Sequence, residues 1–263
     1  MNIELDRIYN MDCLEGMRLM DADSIDLVVT SPPYDNLRSY KGVADGWNFD
    51  KFKAIAAEIA RVLKPGGVCV WVVGDATIEG SESGTSFRQA LYFKDECGLN
   101  IHDTMIWEKT CNGCLGSSNC YLQNFEYMFV FSKGDIKTFN PIEDRKNVAK
   151  PHNNTTNGGL TDGKGKQRAI ITKEYGRRTN IWQINQQQNS DHPAPFPEHL
   201  AESHVVSWTN EGDTVLDPFM GSATTAVACH RRKRHFIGFE LNKEYFDKAC
   251  KRIDNERRQL TLF

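Results

Sequence analysis

Six apolar residues in a row, Val68-Cys69-Val70-Trp71-Val72-Val73, follow the helix-terminating "KPGG" of residues 64–67. A strand with one wet face alternates, whereas a run without alternation needs cover on both faces. Comparable runs recur in "SIDLVVT" (24–30), "TVLDPF" (214–219) and "HFIGFE" (235–240), and "LDRIYN" (5–10) is also strand-like. Between them lie segments with helical spacing. "DKFKAIAAEIARVL" places Phe52, Ile55, Ile59, Val62 and Leu63 on one face, with Asp50 as the expected N-cap. "CLEGMRLM" (13–20), "EHLAESHVVSW" (198–208), Ser222–Arg231 and a C-terminal stretch with Tyr245, Phe246, Ala249 and Ile253 on one face read as further helices. "IHDTMIWEK" (101–109) and "FEYMFVFSK" (125–133) read as two antiparallel strands joined by a Gly/Cys/Ser-rich loop. The pattern predicts an α/β fold: a mostly parallel sheet with one antiparallel strand pair and helices on both faces.

A chain of 263 residues has room for one large α/β domain. Its formal net charge of −3 argues against a non-specific nucleic-acid binder. No apolar run approaches a membrane span, and "MNIELDRIYN" lacks the apolar core of a signal peptide, so a cytoplasmic protein without a membrane partner is expected. The eight cysteines sit mostly in apolar or helical patterns and read as small buried hydrophobes of a reducing compartment. Cys111, Cys114 and Cys120 offer only three local ligands with no adjacent histidine, so no metal is expected.

Charge is unevenly distributed. Between 145 and 178 stand Arg145, Lys146, Lys150, Lys164, Lys166, Arg168, Lys173, Arg177 and Arg178, against only Asp162 and Glu174. The stretch also holds "NNTTNGG" and "TDGKGK", rich in turn formers. It reads equally as a solvated insertion or as an electropositive arm that meets phosphates. The organisation expected is a core of residues 1–139 and 191–258, an insertion at 140–190, and a tail at 259–263.

Two strand ends carry unusual chemistry. "TSPPY" (30–34) puts two prolines where an apolar strand stops; they fix two φ angles and remove two donors. The carbonyls of Ser31 and Pro32 then project from a stiff turn, between a hydroxyl and the Tyr34 phenol ring. "DTVLDPFMGSATT" ends a strand in Asp217-Pro218-Phe219 and opens a helix through a small-residue turn, where Gly221 lets a ligand approach the backbone. Glu240 ends the next strand, 19 positions beyond Gly221, where an acid accepts from ribose hydroxyls in doubly wound folds. The fingerprint G-x-G-x-x-G is absent, so a nucleoside ligand without a diphosphate suits the site.

"TSPPY", "DPFMGSATT" and "FIGFE", with "VLKPGG", "NFEYMFVFSKG", "NIWQI" and "HPAPFP", resemble the motifs of S-adenosylmethionine-dependent DNA amino-methyltransferases. The resemblance runs from Asp12 to about Ile253, in the permuted order of the family's β group. It implies a Rossmann-like methyltransferase fold, S-adenosyl-L-methionine as cofactor, double-stranded DNA as partner and the 140–190 insertion as target-recognition region. It further implies that Asp12, with Cys13 as neighbour, contacts the cofactor's adenine, and that Phe196 and Pro197 pack around the cofactor. Asp217, Pro218, Phe219, Gly221, Ser222, Ala223 and Glu240 complete the implied cofactor site. Ser31, Pro32, Pro33 and Tyr34 form the implied catalytic turn, with Arg145, Lys146, Lys150, Lys164, Lys166, Arg168, Arg177 and Arg178 as candidate DNA contacts. The family turn usually reads F-x-G-x-G, and Ala223 replaces its second glycine; a methyl there either crowds the cofactor or tightens the helix start.

The expected reaction places the Ser31 hydroxyl and Pro32 carbonyl as acceptors for an exocyclic amino group on a base rotated out of the duplex and stacked on Tyr34. In this family, serine at the tetrapeptide's first position mostly accompanies N4-cytosine, and aspartate or asparagine N6-adenine. Cytosine N4 is therefore expected, with adenine N6 as the alternative. A catalytically inactive DNA-binding or replication-associated module is the competing class. Gln259, Leu260, Leu262 and Phe263 of the tail resemble peptides that dock on the bacterial sliding clamp, while a helix end folded on its own domain is the plainer reading. A homodimer is common in the β group.

Overall fold

The computed structural model describes residues 2–33, 47–109, 121–148, 153–154, 170–171, 173–185 and 197–260. An eight-stranded sheet is built from β1 (Arg7–Tyr9), β2 (Ile25–Thr30), β3 (Leu63–Val73), β4 (Asn100–Glu108), β5 (Phe125–Ser132), β6 (Ile181–Gln183), β7 (Thr214–Asp217) and β8 (His235–Phe239). The spatial order is β1-β8-β7-β2-β3-β5-β4-β6. All pairings are parallel except those of β5, which runs against both β3 and β4. The expected α/β fold with its antiparallel pair is therefore present.

The helices are α1 (Cys13–Arg18), α2 (Phe49–Val62), α3 (Thr85–Asp95), α4 (Glu198–Trp208), α5 (Thr224–Arg231) and α6 (Lys243–Leu260). They divide between the two faces of the sheet. Val68, Val70 and Val72 of β3 join Leu200 and Val205 of α4, Ala226 and Val227 of α5, and Ala249 and Ile253 of α6 in one core. Cys69, Trp71 and Val73 join Met17 of α1, Ile55 and Ile59 of α2, and Phe93 of α3 in the other. The uninterrupted apolar run of β3 is thus explained: alternate side chains enter different cores, and each core needs them apolar.

Glycines set how closely these layers approach. A Cβ on Gly16 of α1 would lie 2.2 Å from the Phe239 ring, and one on Gly238 of β8 2.2 Å from Met220 Cε. Basic side chains close two helix ends. The Arg61 guanidinium donates to the Met17 and Met20 carbonyls at the end of α1, and Lys133 Nζ to those of Ala60 and Leu63 at the end of α2.

Several local expectations need correction. Asn48, not Asp50, caps α2, its side chain accepting from Lys51 N at 2.9 Å, because the helix begins one residue before Asp50. Helix α5 begins at Thr224, since Gly221 and Ala223 have φ of +51° and +65° and cannot be helical. In "RRKRH" (231–235), which runs on from the end of α5 and which the sequence reads as a helix end with solvated charges, Arg231 pairs with Glu198 and Glu256, Arg232 with Glu202, and Arg234 donates to Thr209. Helix α3 carries no sequence start signal: Gly84 precedes it and offers no side-chain cap. Asp75 substitutes from the end of β3, accepting from Ser86 N, Ser86 Oγ and Ser83 Oγ.

The chain forms two compact units, Met1–Asn140 with Asn180–Phe263, and Pro141–Thr179. The smaller is narrower than the 140–190 span read from composition, because Ile181–Gln183 pairs with β4 in the main sheet. Within it, Arg145–Lys146 pairs antiparallel with Tyr175–Gly176, and Asn153–Asn154 with Ile170–Ile171. No helix among the described residues is long and apolar enough to cross a membrane.

Candidate active site

The carboxyl ends of β1, β8, β7, β2 and β3 share one edge of the sheet, because these strands are parallel. In open α/β sheets that edge is where ligands bind. It brings together Asp12 after β1, Glu240 after β8, the 218–223 turn after β7 and Ser31-Pro32-Pro33 after β2. Residues scattered over some 230 positions of sequence thus become neighbours through strand order alone.

The 218–223 turn is held from several sides. Met220 N donates to the Phe239 carbonyl at 2.9 Å, pinning the turn to β8. Glu240 Oε2 accepts from Gly221 N at 2.9 Å, and its Oε1 from Asn242 N at 2.8 Å. Burial raises the Glu240 carboxyl above the ordinary value, although both backbone donors pull it down. Arg252 of α6 donates to the Ser222 carbonyl at 2.7 Å and to Glu198 of α4 at 2.5 Å, tying the turn to the helix that follows Pro197. Phe219 is half-buried, its ring edge-on to Trp47 at 5.5 Å and to Trp71 at 6.3 Å.

Ala223 adopts a left-handed conformation, with φ of +65°, and is fully buried among the apolar residues of α5. Its methyl group therefore belongs to the core and does not line an open surface. The sequence left crowding and helix tightening open; burial favours the second.

Asp12 caps α1 by accepting from Leu14 N at 2.8 Å and pairs with Lys51 of α2 at 2.6 Å. Cys13 is buried, and its thiol is pushed up to about 12, mainly by loss of solvation and then by the Asp12 charge. It is no thiolate at neutral pH. Ser31 and Pro33 are half-exposed and Pro32 is buried. Thr30, one residue earlier, donates to Asp217 Oδ1 at 2.6 Å. Asp217 is 5% exposed and also accepts from Thr225 Oγ1 at 2.7 Å and Phe219 N at 3.1 Å, so its carboxylate is engaged by the chain itself. Pro218 and Pro197 are buried, and Ser222 is half-exposed. Tyr34, Phe196, Lys150, Lys164, Lys166, Arg168, Leu262 and Phe263 lie outside the described residues, as do Cys111, Cys114, Cys120 and the side chain of Leu260. Gln259 is exposed near the end of α6. No cluster of three or more metal-ligating side chains occurs among the described residues.

Of the candidate DNA contacts among the described residues, Arg145, Lys146 and Arg177 are exposed. The Arg145 side chain donates to the Arg177 carbonyl at 3.0 Å, while Arg178 forms an ion pair with Asp144. Arg178 thus has a structural partner inside its own unit.

Sequence reasoning missed Thr30, Trp47, Trp71, Lys51, Asp75 and Arg252. It also missed the buried Lys109–Glu126 pair, whose ammonium lies 4.8 Å from the Trp107 ring centroid. None carries a motif signal except Thr30, which stands inside "TSPPY".

The turn fits a nucleoside-bearing ligand. Each Glu240 oxygen holds one backbone donor and keeps lone-pair capacity for a hydroxyl. Gly221 presents no side chain, and Phe219 offers an aromatic surface.

A family profile described as DNA methylase, of the N6/N4 type, matches residues 25–251. The orphan methyltransferase M.BamHII of Bacillus amyloliquefaciens is 50% identical over 244 residues, covering 88% of this chain and 89% of that protein. Among solved structures, the PvuII DNA methyltransferase (cytosine-N4-specific) superposes with a TM-score of 0.69 at 24% identity, covering 95% of this chain and 86% of that one. M1.HpyAVI, solved as its S-adenosylmethionine complex, gives a TM-score of 0.62 at 25% identity, covering 94% and 98%. With the sheet, the two turns and these likenesses in agreement, the chain belongs to the N6/N4 DNA methylase family and is a DNA methyltransferase whose methyl donor is S-adenosylmethionine.

Proposed function

We propose that the enzyme methylates the exocyclic N4 of cytosine in double-stranded DNA, with Ser31 and Pro32 as acceptors for the amino group. The acceptor arrangement, common to cytosine N4 and adenine N6, is supported by the placement of the Ser31-Pro32-Pro33 turn beside the 218–223 turn, one hydrogen bond apart through Thr30 and Asp217. The choice of cytosine is supported by Ser31 alone. S-adenosylmethionine supplies a methyl group on a sulfonium, to be taken by the amino nitrogen.

The amino nitrogen of cytosine is a poor nucleophile, because its lone pair is delocalised into the ring. The Ser31 hydroxyl and Pro32 carbonyl draw its N–H bonds out of the ring plane and stabilise the positive charge that develops on nitrogen. The surplus amino proton is then lost to solvent water, which restores a neutral methylated amine. Tyr34 supplies a stacking surface for the base. Glu240 would hold the ribose of the cofactor and Asp12 its adenine, with Phe219 and Pro197 beside them. Asp217 serves from behind, since its carboxylate is buried and accepts three donors from the chain itself. No covalent enzyme–base adduct is needed, and the nearby Cys13 thiol, pushed up to about 12, is unsuited to form one.

Ser31 supports cytosine over adenine by motif resemblance, and Arg145, Lys146 and Arg177 are candidate DNA contacts that lie exposed among the described residues. The test is to incubate the protein with unmethylated DNA and S-adenosylmethionine, digest to nucleosides and identify the product by mass spectrometry. N4-methylcytosine is expected; N6-methyladenine would retain the acceptor clamp and overturn the base.

A further inference from the structure

Strands β2 and β7 carry the two halves of the site, yet their backbone register runs only from Val215–Leu27 to Leu216–Val28. Beyond it, Thr30 is paired outward to Trp71 of β3, and Asp217 outward to Gly238 of β8. The backbone ladder between these two strands therefore ends before their turns begin. A side-chain contact spans the gap: Thr30 Oγ1 donates to Asp217 Oδ1 at 2.6 Å. The second carboxylate oxygen accepts from Thr225 Oγ1, in the first turn of α5, at 2.7 Å, and Phe219 N donates to Oδ1 at 3.1 Å.

We propose that Thr30, Asp217 and Thr225 form a positioning bridge that fixes the Ser31-Pro32 acceptors relative to the turn that holds the cofactor. The inference rests on the reading of those two turns given above, and it assigns a positioning part to Thr30 and Thr225, which stand at the edges of "TSPPY" and "DPFMGSATT".

The chemistry of the contact favours positioning over simple filling. Asp217 is 5% exposed, and burying a carboxylate is costly, whereas an apolar side chain would fill the same space at lower cost. Both threonine hydroxyls are donors to one rigid, forked acceptor, so displacement of either strand end breaks a charge-assisted bond. Methyl transfer in turn depends on the alignment of two bound reactants, and small displacements lower the rate steeply. Thr30 adjoins Ser31 and Phe219 adjoins Gly221 by no more than two positions. The bridge thus reaches both sides of the reaction without touching either reactant.

The test uses the full chain with DNA and S-adenosylmethionine, reading the single-turnover rate at saturation of both and cofactor affinity separately by calorimetry. Thr30→Val keeps the shape and removes the donor; its rate is expected to fall about tenfold or more, with cofactor Kd changed less than about threefold. Thr30→Ser restores the hydroxyl and is expected to recover the rate to within about threefold. A Thr30→Val rate within about threefold of the parent's, or an equal loss in Thr30→Ser, overturns the bridge. If Thr30→Val does not fold, Thr225→Val removes the bond at the other oxygen: a rate loss of about fivefold or more supports the bridge and an unchanged rate overturns it. A parent protein that methylates DNA while the variants keep its rate refutes the bridge alone. A parent that methylates no base refutes the reading on which it rests.

Discussion

Ala223 holds a left-handed φ of +65° with its methyl group in the core. The conformation costs an L-residue about 1 kcal/mol, and burying the methyl returns about 0.8 kcal/mol, so the two nearly cancel. Ala223→Gly is expected to change stability by less than about 1 kcal/mol and cofactor Kd by less than about threefold, read by thermal melting and calorimetry. A tenfold gain in affinity would instead place the methyl against the ligand. Asp217 supports a pH prediction. Loss of solvation raises its carboxyl above the ordinary 3.8, despite the Thr30, Thr225 and Phe219 donors. A carboxyl with a raised folded pKa holds its proton more tightly in the folded than in the unfolded state. Its contribution to stability is therefore greatest at low pH and falls as pH climbs from 3.8 through the raised value. Asp217→Asn cannot ionise, so its stability relative to the parent should improve with rising pH across that window. Urea melts of both proteins at a series of pH values check this, and a constant difference would count against it.

Elements are placed here by close approaches as much as by apolar area. Gly238 lies in β8 directly under Met220, whose terminal methyl occupies the space a Cβ would need. Gly238→Ala forces the 218–223 turn away from the strand and should cost about 1–3 kcal/mol, visible as a lowered Tm, together with weakened cofactor binding. Unchanged values for both would mean that Met220 yields freely. Helix α3 depends on a different device. Its first turn is satisfied by Asp75, which accepts from Ser83 and twice from Ser86. Asp75→Ala leaves buried donors unmatched, and a loss of about 1–3 kcal/mol is expected in chemical denaturation. That dependence explains why α3 escaped a reading based on local start signals: its cap lies ten residues upstream, at the end of a strand.

At the scale of the molecule, the sheet gathers the site, and a separate unit, Pro141–Thr179, carries basic residues. Arg145 and Lys146 are exposed, whereas Arg178 is tied to Asp144. Replacing Arg145 and Lys146 together with alanine should weaken DNA binding and reduce the slope of log K against log salt by up to about 2, leaving cofactor affinity unchanged. Fluorescence anisotropy over a salt series measures it, and an unaltered slope would remove both residues from the phosphate contacts. The sequence by itself determined the α/β class, since unbroken apolar runs such as 68–73 need cover on both faces and alternate along the chain with segments of helical spacing. It determined the two chemical turns as well, because proline pairs, small-residue turns and a strand-end acid are local in character and readable in place. It did not determine the cap of α2, the existence of α3, or the partners of Arg231, Arg232 and Arg234, each set by groups brought near in space. Only the tertiary structure decided that Asp217 faces inward to Thr30 and Thr225, and that the Ala223 methyl enters the core. The reason is physical: a motif fixes which groups a turn can offer, but strand order and close packing fix which way they face and what they meet.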